Sequence, residues 1–124
     1  MIRLVIVGYV TPGLNVLMRR HFGRRKKDRA EWAALILYAM RRQNLTLDEC
    51  KAKGKRRLTI ERFERGQGLD TDGLYGGAKD LIDEIARHGL VLDDTPKNCE
   101  LIVKQWKPLS GAKKHTVITL EDVE

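Results

Sequence analysis

The chain has 124 residues, of which 42% are hydrophobic and 33% carry charge, and its formal net charge at pH 7 is +7. This length predicts one domain with a modest core, and the composition excludes an intrinsically disordered chain. No apolar run approaches the roughly 18 residues that cross a bilayer, which excludes a membrane-spanning protein. The excess of lysine and arginine over acidic residues favours a polyanionic partner such as nucleic acid.

The first half of the chain predicts a strand, a helix and a second strand. Ile2–Val7 is a β-branched run that indicates a first strand rather than a signal peptide, and residues 11–15 have turn chemistry. Apolar residues spaced three and four apart predict a helix over residues 29–42. The weak alternation of residues 57–65 predicts a strand with one solvent-facing side. Two cysteines without metal-ligand or redox spacing favour a cytoplasmic protein.

The second half of the chain predicts a second helix and two further strands. Residues 78–88 repeat apolar positions at helical spacing, and Gly89 after them is typical of a helix end. A short apolar segment at 90–94 follows the helix. Residues 98–106 and 115–120 are predicted to be strands, joined as a hairpin. The order β-α-β-α-β-β, with two main helices and one mixed sheet, predicts a single α+β domain over residues 1–124.

Two dense basic blocks stand in the first half of the chain, at residues 19–29 and 51–57. Like charges this close repel one another unless an anion lies against them, so we expect both blocks to contact the phosphates of a nucleic acid. The alternative is a pair of solvated surfaces that keep the protein soluble. The side chains predicted to make the contacts are Arg19, Arg20, Arg24, Arg25, Lys26, Lys27, Lys53, Lys55 and Arg56.

The acidic residues of interest form two pairs, Asp70 with Asp72 and Asp93 with Asp94. Residues two apart in extended chain point to the same side, so the first pair can converge on one cation. A chain reversal after the second helix would return the second pair to the first, and the carboxylates would then bind Mg²⁺. The alternative is that the first pair are turn and helix-capping residues and the second pair belong to a polar loop.

Three other kinds of site are excluded by the residues themselves. A calcium loop that opened at Asp70 would need glutamate at its twelfth position, where the chain has Leu81. A phosphate-binding P-loop needs serine or threonine after its lysine, whereas Asp80 follows Lys79. The three histidines are scattered along the sequence, so no nucleophile triad is predicted.

The order of residues around these acids resembles the RusA-like Holliday-junction resolvases. The shared pattern is Asp-x-Asp, a leucine, a helical lysine, an aspartate four residues on, and then Gly-apolar-apolar-x-Asp-Asp. The residues that carry the pattern in this chain are Asp70, Asp72, Leu74, Lys79, Asp83, Gly89, Asp93 and Asp94. A proline turn followed by asparagine after the first strand, here Pro12 and Asn15, also fits that family.

The resemblance implies a homodimeric, Mg²⁺-dependent endonuclease, with Mn²⁺ as a substitute, that resolves four-way or related branched DNA by paired nicks. The catalytic residues it implies are Asp70, Asp72, Lys79 and Asp94. The metal ligands it implies are Asp70 and Asp72 together with Asp93 or Asp94. Asn15 joins the residues expected to contact DNA.

Two features depart from the family pattern. Gly73 stands where the family has asparagine, and Lys79 follows Asp72 by seven residues instead of four. Either a helix begins at Asp72, or the glycines let the extra residues bulge out before the helix. The glycine pair at residues 76–77 favours the bulge, because glycine is a poor helix-interior residue. The alternative function, a branched-DNA-binding protein that has lost cleavage, follows from the same two features.

Overall fold

The computed structural model describes residues 1–123, and Glu124 lies outside the described residues. They form one small α+β domain in which a four-stranded mixed sheet packs against helices. In chain order the elements are β1 (Ile2–Val7), α1 (Leu14–Arg19), α2 (Phe22–Arg42), α3 (Leu47–Cys50), β2 (Arg56–Phe63), α4 (Thr71–Gly77), α5 (Lys79–Arg87), β3 (Cys99–Trp106) and β4 (His115–Asp122). Within residues 1–123, no helix is both long and apolar enough to span a membrane.

The strands are ordered β1-β4-β2-β3 across the sheet, with β2 and β3 parallel and the other neighbouring pairs antiparallel. The predicted hairpin between the last two strands is therefore wrong, because β4 lies between β1 and β2. The side chains of β4 that point toward the helices suit this central position, since Thr116, Ile118 and Leu120 are all buried. The turn-rich residues 108–114 indicated a chain reversal but carry no information about the strand that β4 joins.

Helix α2 is longer than predicted and begins at Phe22 instead of residue 29. His21 is its N-cap, and the imidazole Nδ1 accepts a hydrogen bond from the backbone N–H of Gly23. The apolar stripe starts only at Trp32, so hydrophobic spacing did not reveal the first turns, which carry the basic block. Beyond that point the predicted helix is confirmed. Its buried residues are Trp32, Ile36, Ala39 and Met40.

The segment after β2 is helical from Thr71 to Arg87, interrupted only at Ala78. The predicted bulge is therefore wrong, and the alternative of a helix that begins beside Asp72 is closer to the structure. Close packing explains why glycines occur inside this helical segment. A β-carbon at Gly77 would lie 1.7 Å from the carbonyl oxygen of Pro12, so the N-terminal turn needs glycine at this contact.

Helix α5 packs on the sheet through the predicted apolar face, with Leu81, Ile82 and Ile85 buried. It also ends as predicted, because Gly89 has a φ of +77°, a conformation that favours glycine. The backbone N–H of Leu90 then donates to the carbonyl of Ile85, which closes the last turn. The local signals of this helix were sufficient to place it.

The parallel strands β2 and β3 define two ends of the sheet. We call the end where they begin, at Arg56 and Cys99, the amino end, and the end where they finish, at Phe63 and Trp106, the carboxyl end. Helices α4 and α5 run from the carboxyl end back to the amino end, as a connection between parallel strands requires. Strand β1 also finishes at the carboxyl end, so α1 and the first turns of α2 follow from that end.

Candidate metal and nucleic-acid site

Asp70 and Asp72 lie at the carboxyl end of the sheet, at the start of α4. Asp70 is the N-cap, and its Oδ1 accepts a hydrogen bond of 2.7 Å from the backbone N–H of Gly73. The segment before them is fixed to the end of β3, since the amide of Gln105 bonds both the N–H and the carbonyl of Leu69. The capping role considered for Asp70 is confirmed, and both carboxylates are exposed.

Asp93 and Asp94 lie at the amino end of the sheet, just before β3. The carboxylate of Asp93 accepts hydrogen bonds from the N–H and hydroxyl of Thr95 and from the side-chain amide of Asn98. These bonds, first that of the Thr95 hydroxyl, hold the pKa of Asp93 below its ordinary value. Asn98 leads directly into β3, and its carbonyl accepts from the N–H of Arg56 in β2.

The two acid pairs are therefore far apart in one chain. Strand β3, whose eight residues run between the two ends of the sheet, is about 26 Å long at the usual rise per residue. Within residues 1–123, no group of three or more His, Cys, Asp or Glu side chains is arranged to hold a metal ion. The prediction that Asp93 and Asp94 return to the first pair is wrong for a single chain. The chain reverses only after the helices have run the length of the sheet.

Lys79 is the first residue of α5 and is exposed. Its Nζ lies 3.5 Å from the carboxylate of Asp83, one turn further along the helix. This is the surface ion pair that the spacing of the two residues predicts, and such exposed pairs contribute little to stability. Lys79 follows Asp72 by seven residues, beyond the break at Ala78, so it lies about 10 Å further along the helical segment.

The first basic block begins at Arg19, the last residue of α1, and continues through the loop and the first turns of α2, at the carboxyl end. Most of its arginines contact acids of the same chain. Arg20 and Arg24 both bind Asp28, at 2.7 and 3.2 Å, and Arg25 binds Asp80 through two nitrogens, at 2.8 and 3.3 Å. The hydrogen bond to Asp80 raises the pKa of Arg25. The exposed cations of the block are Arg19, Arg24, Lys26 and Lys27.

Asp80 was missed by the sequence analysis, although it fixes α2 against α5. Its side chain is buried and also lies 3.6 Å from Arg29. The signal was present: Asp80 and Glu84 are four residues apart beside the apolar positions of α5, where a charged residue must have a partner. The partners of Asp80 are Arg25 and Arg29, which belong to the basic block, so part of that block is structural.

The second basic block lies at the amino end, where Lys53 and Lys55 are exposed. Arg56 differs from them because it is 6% exposed. Its guanidinium donates to the carbonyls of Cys50 and Leu90 and, through Nε, to Asp122 at 2.8 Å. The prediction that Arg56 contacts nucleic acid is wrong. Its side chain points to the helix-covered side of β2. The sequence does not indicate this, because Arg56 stands among other basic residues.

No protein-family model matches the sequence, and no curated protein matches it at a significant level. The arguments about function therefore depend on the residues and their geometry. Three groups of side chains could take part in binding or catalysis. They are the exposed acids at the carboxyl end, the exposed cations on α1 and α2, and the separate acids and cations at the amino end.

Proposed function

We propose that this protein is a Mg²⁺-dependent, structure-specific endodeoxyribonuclease of the RusA-like kind, which resolves Holliday junctions or related branched DNA by paired nicks. Mn²⁺ would substitute for Mg²⁺. The observation that carries the proposal is the exposed pair Asp70 and Asp72, presented at one end of the sheet beside the basic residues of α1 and α2. In a chain of net charge +7, acids at that point are suited to a cation that meets a phosphate.

The charges around this end support a phosphodiester substrate. Arg19, Lys26 and Lys27 are exposed on the elements that begin there, and Lys79 is separated from the end of α4 by Ala78 alone. Such cations bind the DNA backbone without regard to sequence, so the affinity should fall steeply with salt. Asn15, exposed on α1, would add a hydrogen-bonding side chain to the same surface.

The separation of the acids supports a homodimer. Each end of the protomer has one acid pair and one set of exposed cations, with Lys53 and Lys55 near Asp93 and Asp94 at the amino end. A two-fold axis repeats each contact, so an amino end placed against the partner's carboxyl end would form two equivalent sites. Two sites per dimer suit paired nicks in a symmetric junction.

The chain's residues would divide the chemistry between them. Asp70 and Asp72, with Asp93 or Asp94 of the partner subunit, would hold the metal ion. The bound ion would supply a polarised water and neutralise charge that develops on the phosphate. Lys79 would bind a phosphate oxygen and help to neutralise the same charge. The Oδ1 of Asp70 accepts a hydrogen bond from the backbone N–H of Gly73, and this bond fixes the orientation of the carboxylate.

Cleavage of a labelled four-way junction, compared with a linear duplex, tests the proposal in Mg²⁺ and in EDTA. We expect symmetric nicks on the junction that require the metal. Asp72→Asn should abolish cutting and retain junction binding, because it removes a metal ligand and leaves the basic surface. Asp48→Asn, which changes a highly exposed acid on α3, is the matched control and should cut normally. Cutting by Asp72→Asn at the wild-type rate would contradict the metal site.

Mixing two inactive variants tests whether each site is shared between protomers. If Asp72 works with Asp94 of the partner subunit, a heterodimer of Asp72→Asn and Asp94→Asn contains one intact site. The mixture should then nick one strand, although each variant alone does not cut. A mixture that stays inactive, with heterodimers demonstrated, would mean that Asp72 and Asp94 of the same chain belong to one site, which contradicts the shared site.

A second candidate function is a branched-DNA-binding protein without cleavage. Gly73 in place of asparagine and the late position of Lys79 favour it, as does the absence of three converging metal ligands within residues 1–123. This function predicts salt-sensitive junction binding and no cut with any divalent metal. The same junction assay separates it from the nuclease.

A further inference from the structure

An apolar and aromatic row crosses the helix-free face of the sheet at its carboxyl end. The strand register places Val7 beside His115, His115 beside Phe63, and Phe63 beside Trp106. The rings of Phe63 and His115 stack with centroids 4.3 Å apart and planes 9° from parallel. The row therefore contains one side chain from each of the four strands.

The side chains at both ends of this row are well exposed. Val7 is 55% exposed, and Trp106, on the edge strand β3, is 49% exposed. The indole Nε1 of Trp106 donates a 2.9 Å hydrogen bond to the carboxylate of Glu61, which turns the ring over β2. The core lies on the opposite face of the sheet, where α2 and α5 pack. The row is thus a fixed aromatic surface rather than part of the core.

Exposed cations lie next to the row, on β3 and on the loops that follow β2 and β3. Lys104 shares the face of β3 with Trp106, and the loop after β3 contributes further exposed cations. The exposed cations of this rim are Arg65, Lys104, Lys107, Lys113 and Lys114. The acids at the end of β2 are both engaged, Glu61 with Trp106 and Glu64 with Arg62. The rim is therefore positively charged.

We propose that this face binds an unpaired nucleic-acid strand, with bases stacked on the aromatic row and phosphates bound by the lysine rim. Exposed aromatic side chains within a cationic surface are the features by which proteins bind single strands without sequence preference. Charge complementarity favours this occupant over a second copy of the chain. Two copies that packed row against row would bring their two positively charged rims together.

The proposed strand site is separate from catalysis and goes beyond the nuclease proposal. The site lies on the helix-free face of the sheet. It is at the same end of the sheet as Asp70, because Gln105, which precedes Trp106, binds Leu69. A strand on the aromatic row would therefore pass close to the carboxylates. Unpaired DNA occurs at branch points, which is the kind of substrate that the arrangement accommodates.

The experiment is titration of the full-length protein with fluorescently labelled oligo(dT) at low salt in EDTA, followed by anisotropy. Trp106→Ala should weaken binding by about tenfold, which is the size of one base–aromatic stack, whereas Trp106→Phe should retain most of the affinity. Tyr38→Ala is the matched control, because it removes a 59% exposed aromatic side chain from α2. It should leave the affinity unchanged. Thermal unfolding of each variant verifies the fold.

In the wild-type protein, oligo(dT) should also quench tryptophan emission, and the signal would come from Trp106 because Trp32 is 7% exposed. Equal oligo(dT) affinities for Trp106→Ala and Tyr38→Ala would overturn the proposal. A dimer that dissociates in Trp106→Ala with no loss of oligo(dT) affinity would also overturn it, since the face would then join two copies. The measurement contains no metal, so its result is independent of whether the protein cleaves DNA.

Discussion

At the residue scale, the contact between Gly77 and the carbonyl oxygen of Pro12 determines how α4 meets the turn after β1. A neighbouring contact is also close, since a β-carbon at Gly76 would lie 2.8 Å from a methyl group of Leu14. The Leu14 side chain can rotate, but the Pro12 backbone can move only with the whole turn. The two glycines therefore have different tolerances for substitution.

We expect Gly77→Ala to lower the free energy of unfolding by about 1–3 kcal/mol, the usual cost of overpacking. Higher alanine helix propensity offsets only part of that loss. Urea unfolding measures the change. Gly54→Ala is the matched control, because a β-carbon at Gly54 would have no atom within 4 Å among the described residues. A Gly77→Ala protein as stable as Gly54→Ala would contradict the close contact.

Residue-scale prediction from sequence worked where the cause was local and failed where it was not. The cap at Asp70 and the helix end at Gly89 each depend on a few neighbouring residues. The helix end was predicted directly, and the cap was predicted as the alternative to a metal ligand. Arg56 stands in a basic run, and only strand parity and packing against α3 and the segment after α5 bury it. The charge of a run does not indicate which of its members points inward.

At the element scale, β3 is an edge strand with one hydrogen-bonding side unpaired by the sheet. Helix α4 covers part of that side, because the hydroxyl of Tyr75 accepts a 3.2 Å hydrogen bond from the N–H of Val103. Covered edges protect a sheet from pairing with other chains. The contact also ties the helix that carries Asp72 to the sheet.

Tyr75→Phe should destabilise the protein by about 1 kcal/mol, because a part-buried N–H loses its acceptor while the ring is kept. Amide hydrogen exchange at Val103 should become faster in the variant. Tyr38→Phe removes a hydroxyl from an exposed tyrosine on α2 and serves as the control. Unchanged exchange at Val103 would show that another group protects this amide.

Elements differed from prediction in ways that have physical causes. The apolar stripe of α2 located its core-facing turns, but the first turns depend on the His21 cap and on ion pairs to Asp80 rather than on hydrophobic spacing. The glycines at 76–77 disfavour a helix intrinsically, and tertiary contact with residues 12–14 overrides that preference. The chain needs glycine there to bring α4 close to α1.

At the scale of the whole molecule, two carboxyl groups with lowered pKa values, Asp93 and Asp122, both lie at the amino end of the sheet. The hydrogen bond from Arg56 is the first cause that lowers the pKa of Asp122, and hydrogen bonds from Thr95 and Asn98 lower that of Asp93. Both carboxyls have lower pKa values in the folded than in the unfolded chain. Their stabilisation is therefore present above an unfolded pKa of about 4 and is lost as the pH falls through the folded value.

We expect the free energy of unfolding to fall on acidification below about pH 4, where the unfolded chain takes up protons more readily than the folded one. Asp122→Asn and Asp93→Asn should each make this dependence shallower, since each removes one such carboxyl. Urea unfolding at a series of pH values measures the slope. A slope that is the same in wild type and in both variants would contradict the assignment of these two groups.

The sequence by itself determined the features that depend on neighbouring residues. These include the α+β class, the core-facing part of α2, the extent of α5 and its glycine stop, and the segments that become strands. Each is encoded by periodicity, capping or turn chemistry within one or two helical turns, so no distant partner is needed to specify it. The candidate acids and cations could be identified in the same way.

The tertiary structure alone decided which of these residues meet. It placed β4 between β1 and β2, buried Arg56, paired Arg25 with Asp80, and separated the two acid pairs by the length of α4 and α5. It also aligned the ends of four strands into the aromatic row. Such pairings join residues far apart in the chain, and their choice depends on how all elements bury their apolar faces together, which no local pattern records.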